Sequence, residues 1–464
     1  VNYTALQASV VSASLDGIPG LTLTANSLSL LVNKSSDAAN PNKVLDFADT
    51  SSHAGDDGAT ALAVATGPSS SIALDLDGDE GSLLRVFGSV GLDILGFVSL
   101  SGNFAFKKAT ASLTLSDAST VTADMLAIGA SNVTAFAGVN QGASDALGLQ
   151  LTGVEIGLAL LTDQADASRK WTSLQASATS LGFVGIPGFT LSATSIGLKI
   201  NEAATDDTLV DYAAQSLSIT TGPSDSIELT MAASAGELLE VSGNMELGIV
   251  SFVHVSGGFV FRKGGTVNAT LSDGTQKEVT VMTLGASDVD VFVGVGGPAD
   301  SGDAVGISIE NVNVALALLK PTNTADSSNY YGLRTTADSA GFVGIEGFVL
   351  SVEDIDIEVN GGTDSQETNR VVDFSAGDLD ADGDTDGAMQ VFTGPSSSID
   401  LDFDSKLISA SGKMSLIISD FVHITGNMAF SQSSGMDVTL VGGGTKTVNV
   451  LTLGASNLNV FVGS

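Results

Sequence analysis

The sequence predicts an all-β protein made of tandem long repeats of about 160 residues. Three observations predict it. Apolar and polar residues alternate at period two along most of the chain, the pattern of strands with one buried face. No stretch carries a convincing helical period. At least five phrases recur in the same order. "GIPG" at 17–20 returns at 185–188 and as "GIEG" at 344–347. "TGPSSSI" at 66–72 returns as "TGPSDSI" at 221–227 and "TGPSSSI" at 393–399. "FVSLSGNFAF" (97–106) and "AIGASNVTAFAG" (127–138) likewise each have two later counterparts.

The spacing between copies is 155 to 172 residues, which divides the chain into 1–170, 171–330 and 331–464. The first two copies run on into "LGLQLTGVEIGLALL" (147–161) and "VGISIENVNVALALL" (305–319), but the third stops at "NVFVGS". The third copy is therefore expected to be incomplete, and the chain to be part of a longer array.

Alternating segments in every copy carry a beat that slips once. Leu21, Leu23 and Ala25 are followed by Leu28, Leu30 and Val32. Leu149 and Leu151 precede Val154, Ile156 and Leu158; Leu284 and Ala286 precede Val289, Val291 and Val293. Ile307, Ile309, Val312, Val314, Leu316 and Leu350, Val352, Ile355, Ile357, Val359 repeat the slip. A slip of one residue would turn the second half of a strand to the wrong face. A bulge or a corner between two strands is expected there, and the polar residues at the slip suit either. Roughly a dozen short strands per copy are expected, forming a continuous solenoid-like or prism-like β stack. Tandem β-sandwich domains are the alternative.

Composition limits the function. Hydrophobic residues make up 43% of the 464, enough for a large core, so global disorder is not expected. The net charge of −36 repels phosphate backbones and anionic bilayers, so nucleic acid is not an expected partner. Divalent cations are the natural counter-ions. The chain has no cysteine, which excludes disulfides and thiolate chemistry. No apolar run is long enough for a transmembrane helix.

The acidic loop "DLDADGDTDG" (378–387) is the sharpest candidate site. Asp378, Asp380, Asp382, Asp384 and Asp386 alternate around a glycine that permits a tight turn, which is how hard calcium gathers oxygen ligands. The loop is similar to the calcium loops of thrombospondin type 3 and dockerin modules. It departs from an EF-hand because Met389 stands where the bidentate glutamate belongs. The middle copy lacks the insertion and the first has "HAGDDG" (53–58), so calcium is expected as a local cofactor rather than a property of every copy. "LDLDGDEG" (74–81) and "DLDFDS" (400–405) read equally well as strands with one solvated face.

His254 and His423 match in position, but Ser99 replaces them in the first copy, which argues against catalysis or zinc. The serines of "TGPSSSI" lack a nucleophile elbow and a fixed histidine, so a proline turn entering a strand is expected. No active site assembles, and the chain is expected not to be an enzyme.

In style, "GIPGFTLSATSIGLKI", "TGPSDSI" and "TLGASDVDVFVG" resemble the repetitive regions of giant secreted bacterial surface proteins, the large adhesins and filament-forming proteins. The resemblance implies an extracellular structural role, a shaft whose partners are neighbouring repeats or copies of itself in a homopolymer. A lipid-handling β groove, with alternating strands lining an apolar trough, is the alternative.

Overall fold

The structure, a computed structural model, describes the chain apart from residues 16–18, 20, 49–58, 188, 224, 250–251, 365–368, 381–386, 395–396 and 464. The described residues are nearly all β. They contain two single-turn 3-10 helices and no α-helix, so no helix is long and apolar enough to cross a membrane.

The chain forms two compact units. The first holds residues 1–185 and 198–233; the second holds 186–197 and 234–464. The first has long strands β1 (Tyr3–Leu15) and β2 (Leu21–Ser35), then a short hairpin of β3 (Leu62–Ala65) and β4 (Ser71–Leu74). Long strands β5 (Leu83–Ile94), β6 (Val98–Thr114), β7 (Thr120–Val139), β8 (Leu147–Asp163) and β9 (Lys170–Val184) follow. β10 (Phe189–Glu202) contributes residues to both units. The hairpin of β11 (Leu217–Thr220) and β12 (Ser226–Leu229) completes the first.

The second unit repeats the pattern. It has β13 (Leu238–Ile249), β14 (Val253–Thr270), β15 (Gln276–Val295), β16 (Val305–Pro321), β17 (Asn329–Val343) and β18 (Phe348–Thr363). A third hairpin, β19 (Met389–Phe392) and β20 (Ser398–Leu401), comes next. β21 (Leu407–Ile418), β22 (Val422–Thr439) and β23 (Thr445–Val462) end it.

Within each unit the long strands form an antiparallel meander. The order is β1-β2-β5-β6-β7-β8-β9 in the first. It is β13-β14-β15-β16-β17-β18-β21-β22-β23 in the second. The short hairpins are excursions between paired neighbours.

The expected dozen short strands per copy are instead fewer and longer, up to 20 residues in β7 and β15. The reason lies at the slips. Ser27, Asn132, Ser195, Asp288, Asn311, Asp354 and Asn457 all have φ between 51° and 54°, and Gly153 has 59°. One left-handed residue absorbs the extra step, so the strand bends without breaking. Asn, Asp and Gly enter that region at least cost. The ladder shifts register there, between Asn26 and Ser29, Ala130 and Val133, Ala286 and Val289, and Glu353 and Asp356. Neighbouring bulges satisfy each other: the Asn311 N–H donates to Asp290 Oδ1 (2.9 Å) and the Asp288 N–H to Asn313 Oδ1 (3.2 Å).

A glycine faces the bulge where only one strand of the pair carries it. A Cβ at Gly102 would lie 2.8 Å from Val133 Cα, and one at Gly257 2.8 Å from Val289 Cα. Gly88 and Gly426 face Leu28 and Leu458 at 3.1 Å. Contact with backbone atoms cannot be relieved by a rotamer change. Gly257→Ala is expected to destabilise the second unit by about 1–3 kcal/mol, the usual effect of overpacking, which urea unfolding would measure.

Candidate functional site

The two faces of the meander differ. One is covered by the short hairpins. In the first unit, β11–β12 lies over β7 and β8, and Ile219 and Leu229 are fully buried beneath it. A Cβ at Gly129 would sit 2.0 Å from the Thr220 carbonyl oxygen, and one at Gly157 2.3 Å from Ile227 Cγ2. Ser131 Oγ donates to Asp225 Oδ2 (3.2 Å) at the hairpin turn. In the second unit, β19–β20 lies over β15 and β16 in the same way. A Cβ at Gly285 would be 1.8 Å from the Phe392 oxygen. This covered side is the core: Val279, Leu319, Phe374, Val391 and Leu401 are at most 1% exposed. A buried asparagine anchors the loop after β2, β10 and β18 alike. Asn33, Asn201 and Asn360 donate from Nδ2 to the carbonyls of Leu45, Val210 and Val372 at 2.6, 3.0 and 2.8 Å.

Among the described residues, no element covers the other face. The slipped apolar series lie on it, in register from strand to strand. On one side of the bend the second unit aligns Val241, Phe261, Leu284, Leu316, Leu333, Val359 and Ile408 across seven strands. On the other side it aligns Leu247, Val255, Val291, Ile309, Ala340, Val352 and Met414. The first unit aligns Leu30, Val86, Phe106, Ile128, Leu158 and Leu174, and beyond the bend Leu23, Leu92, Leu100, Ala135, Leu151 and Leu181.

Burial on this face is deepest at the bend, 5% exposure at Ala286 and 7% at Val289, and falls away to 42% at Leu284 and Val293. The chain exposes 24119 Å², whereas two compact globules of half its mass would expose roughly 19,000 Å². Lys34 and Lys108 in the first unit, and Lys263 and Lys320 in the second, stand exposed at a margin of that unit's open face, with no ion pair among the described residues. Asp124 and Glu278 lie near them, taken up by Gln164 and Thr322.

A buried ionic corner sits beside the covered core of the second unit. The Asp364 side chain is fully buried and accepts from Arg370 Nε (2.8 Å), Arg370 Nη2 (2.9 Å), Lys277 Nζ (3.2 Å) and the Tyr330 hydroxyl. Burial alone pushes Lys277 down, but hydrogen bonds to Asp326, Tyr330 and Asp364 outweigh it and hold it well above the usual lysine range. The Thr275 hydroxyl and backbone, then Arg370, hold Asp273 down at about 2.

Of the proposed calcium ligands, Asp382, Asp384 and Asp386 lie outside the described residues. Asp380 Oδ2 accepts from the Gln390 N–H (2.7 Å), and Leu379 between Asp378 and Asp380 is buried in the core. His53 and "HAGDDG" also lie outside the described residues. In the other acidic phrases Leu76, Leu401 and Phe403 are buried between solvated aspartates, the one-sided strand pattern, and Asp77 caps a 3-10 turn. His254 and His423 are cross-strand neighbours of Phe292 and Phe461, with rings 6.4 and 6.0 Å apart. The "TGP" phrases form hairpin turns, closed by Thr221 N–H to Asp225 O (2.8 Å) and Thr393 N–H to Ser397 O (2.9 Å).

Sequence reasoning missed the ionic corner and a cleft of about 750 Å³ on the hairpin side, lined by Glu246, His254, Asp290, Phe292, Asp300 and Glu310. Their residues come together only through cross-strand pairing. Among the described residues no group of three or more His, Asp or Glu side chains is arranged to hold a metal ion.

The fold and these surfaces define a nearly all-β antiparallel sheet protein. No known protein family, curated protein or solved structure matches the chain.

Proposed function

We propose that this chain is a non-catalytic, lipid-handling β-groove protein whose open face holds acyl chains along the bent sheet. One observation carries the reading: rows of six or seven apolar side chains, in register across adjacent strands, lie half-exposed on a face that no described element covers. Monomeric soluble proteins rarely leave contiguous apolar patches above a few hundred Å² without a ligand or partner. The bend gathers the face around its own midline, and the marginal lysines suit anionic head groups on a chain that is otherwise strongly acidic.

The test is to purify the chain from a lipid-containing host, extract it and analyse the extract by mass spectrometry, then titrate it with a fluorescent fatty acid. Several acyl chains per molecule are expected. Leu284→Asp, at an exposed position, should weaken binding roughly tenfold. A clean extract and no titratable binding would sink the reading.

A second reading is an extracellular structural shaft of solenoid-like stacked repeats, stiffened by calcium at Asp378–Asp386. Two of the three hairpins favour it, because β11–β12 and β19–β20 each clamp strands carrying the preceding copy of the repeated phrases. Rods in negative stain that change on chelation, with no bound lipid, would select this reading.

A further inference from the structure

In each unit the strands turn back at two ends, and the ends differ. The marginal lysines stand toward one. Toward the other, the open face stays apolar to its last row. That row is Leu21, Ile94, Val98, Ala137, Leu149 and Phe183 in the first unit. It is Ile249, Val253, Val293, Ile307 and Phe342 in the second.

The turns beyond that row carry apolar tips. Phe97, Phe252 and Phe421 fill the same place in the three copies of one phrase and are 53%, 50% and 50% exposed. The exposure recurs mid-chain as well as near either end, so it belongs to the phrase. Leu95 is 77% exposed and holds φ 56°, a region that a branched side chain enters at a cost. Ile345, in the β17–β18 turn, is 42% exposed. The turns do not need these side chains. The phenylalanine N–H groups donate to the carbonyls of Ile94, Ile249 and Ile418 (2.9, 2.7 and 2.9 Å), and the phenylalanine carbonyls accept from Gly138, Gly294 and Gly463 (2.8 Å). The backbone fixes each tip and leaves the ring in solvent. In the second unit Phe252, Ile345 and Phe421 stand roughly 19 and 10 Å apart along the sheet at ordinary strand spacing, too far to bury one another.

We infer that this rim docks against a lipid bilayer with zwitterionic head groups. The inference deepens the acyl-groove reading and rests on it for the choice of lipid over protein: the apolar face runs unbroken onto the rim, an apolar path for chains leaving a bilayer. Charge selects the head group. The turns at 95–97, 250–252, 296–304, 344–347 and 419–421 hold no Lys, Arg or His, whereas Asp300, Asp303, Glu346 and Asp420 lie in them. Such a rim repels an anionic surface and suits one whose outermost group is a quaternary ammonium. Binding grows with the apolar area inserted.

Trp171 is buried, so Phe252→Trp places a separate fluorophore at one tip. Phosphatidylcholine vesicles should shift its emission to the blue and brominated acyl chains should quench it, with neither effect in the parent. The triple variant Phe97→Ser, Phe252→Ser, Phe421→Ser should float with the same vesicles roughly tenfold less or worse. Its melting temperature and its affinity for a soluble fluorescent fatty acid should be unchanged, because the three positions are exposed and lie outside the aligned rows. Adding phosphatidylglycerol to the vesicles should weaken binding. Fatty-acid binding without vesicle binding would overturn the inference and leave the groove reading standing. Vesicle binding that survives the triple variant, or that strengthens with phosphatidylglycerol, would also overturn it. Vesicle binding lost in the triple variant, in a chain that takes up no fatty acid, would sink the groove reading and keep the docking rim. An oligomer that the triple variant dissociates, with no blue shift on vesicles, would assign the tips to contacts between copies instead.

Discussion

Gly129→Ala is expected to unfold the first unit at markedly lower denaturant, with a loss of about 3 kcal/mol. The new methyl would lie 2.0 Å from the Thr220 carbonyl oxygen and 2.9 Å from Thr221 Cα, and both are backbone atoms of the hairpin or its turn. No side-chain rotation relieves that contact. The hairpin must lift, which uncovers Ile219 and Leu229 and stretches the Ser131–Asp225 bond. Trp171, the chain's one tryptophan, is buried in this unit and reports its unfolding by fluorescence. Gly285→Ala should weaken the second unit alike, through the contact with the Phe392 oxygen, without shifting the Trp171 transition. Gly454→Ala is the internal control, expected within about 0.5 kcal/mol of the parent, since nothing lies over it. Equal effects at all three glycines would mean that the hairpins do not decide the cost.

Asp364→Asn is expected to destabilise the second unit by about 3–5 kcal/mol, the range for removing one partner from a buried ion pair. The change removes the charge facing Arg370 and Lys277 while keeping the shape of the side chain. Lys277 retains Asp326 and Arg370 retains Asp273, so the loss should fall short of an isolated buried charge. A second measurement follows from Asp273. Its folded pKa, about 2, lies below the ordinary carboxylate value of 3.8. Its contribution is therefore complete above pH 3.8 and is lost as the pH falls toward 2. Thr275→Val, which removes the largest cause of that depression, should flatten that acid limb, read by urea unfolding at a series of pH values. An Asp364→Asn chain as stable as the parent would show that the corner is ionic ornament rather than a fastening.

The bends were legible in the chain. A slip such as Leu284, Ala286, Val289, Val291 can be read without coordinates, because side chains alternate strictly and the polar residue at the slip is one that tolerates the left-handed region. That one strand runs through the bend was not legible, since a corner between two strands gives the same spacing. The pairing of Ala286 with Val314 and Val289 with Val312 decides it.

The all-β character, the recurring phrases and the alternation were thus determined by the sequence alone, because strand periodicity is a local property. Which face of the alternation is covered was decided only in three dimensions. Val279 and Val281 lie on the buried side, and Leu284 on the open one, because a hairpin more than 100 residues later comes to rest on β15. Asp364, Lys277 and Arg370 meet for the same reason: distant segments are brought together by cross-strand register, and local spacing carries no record of it.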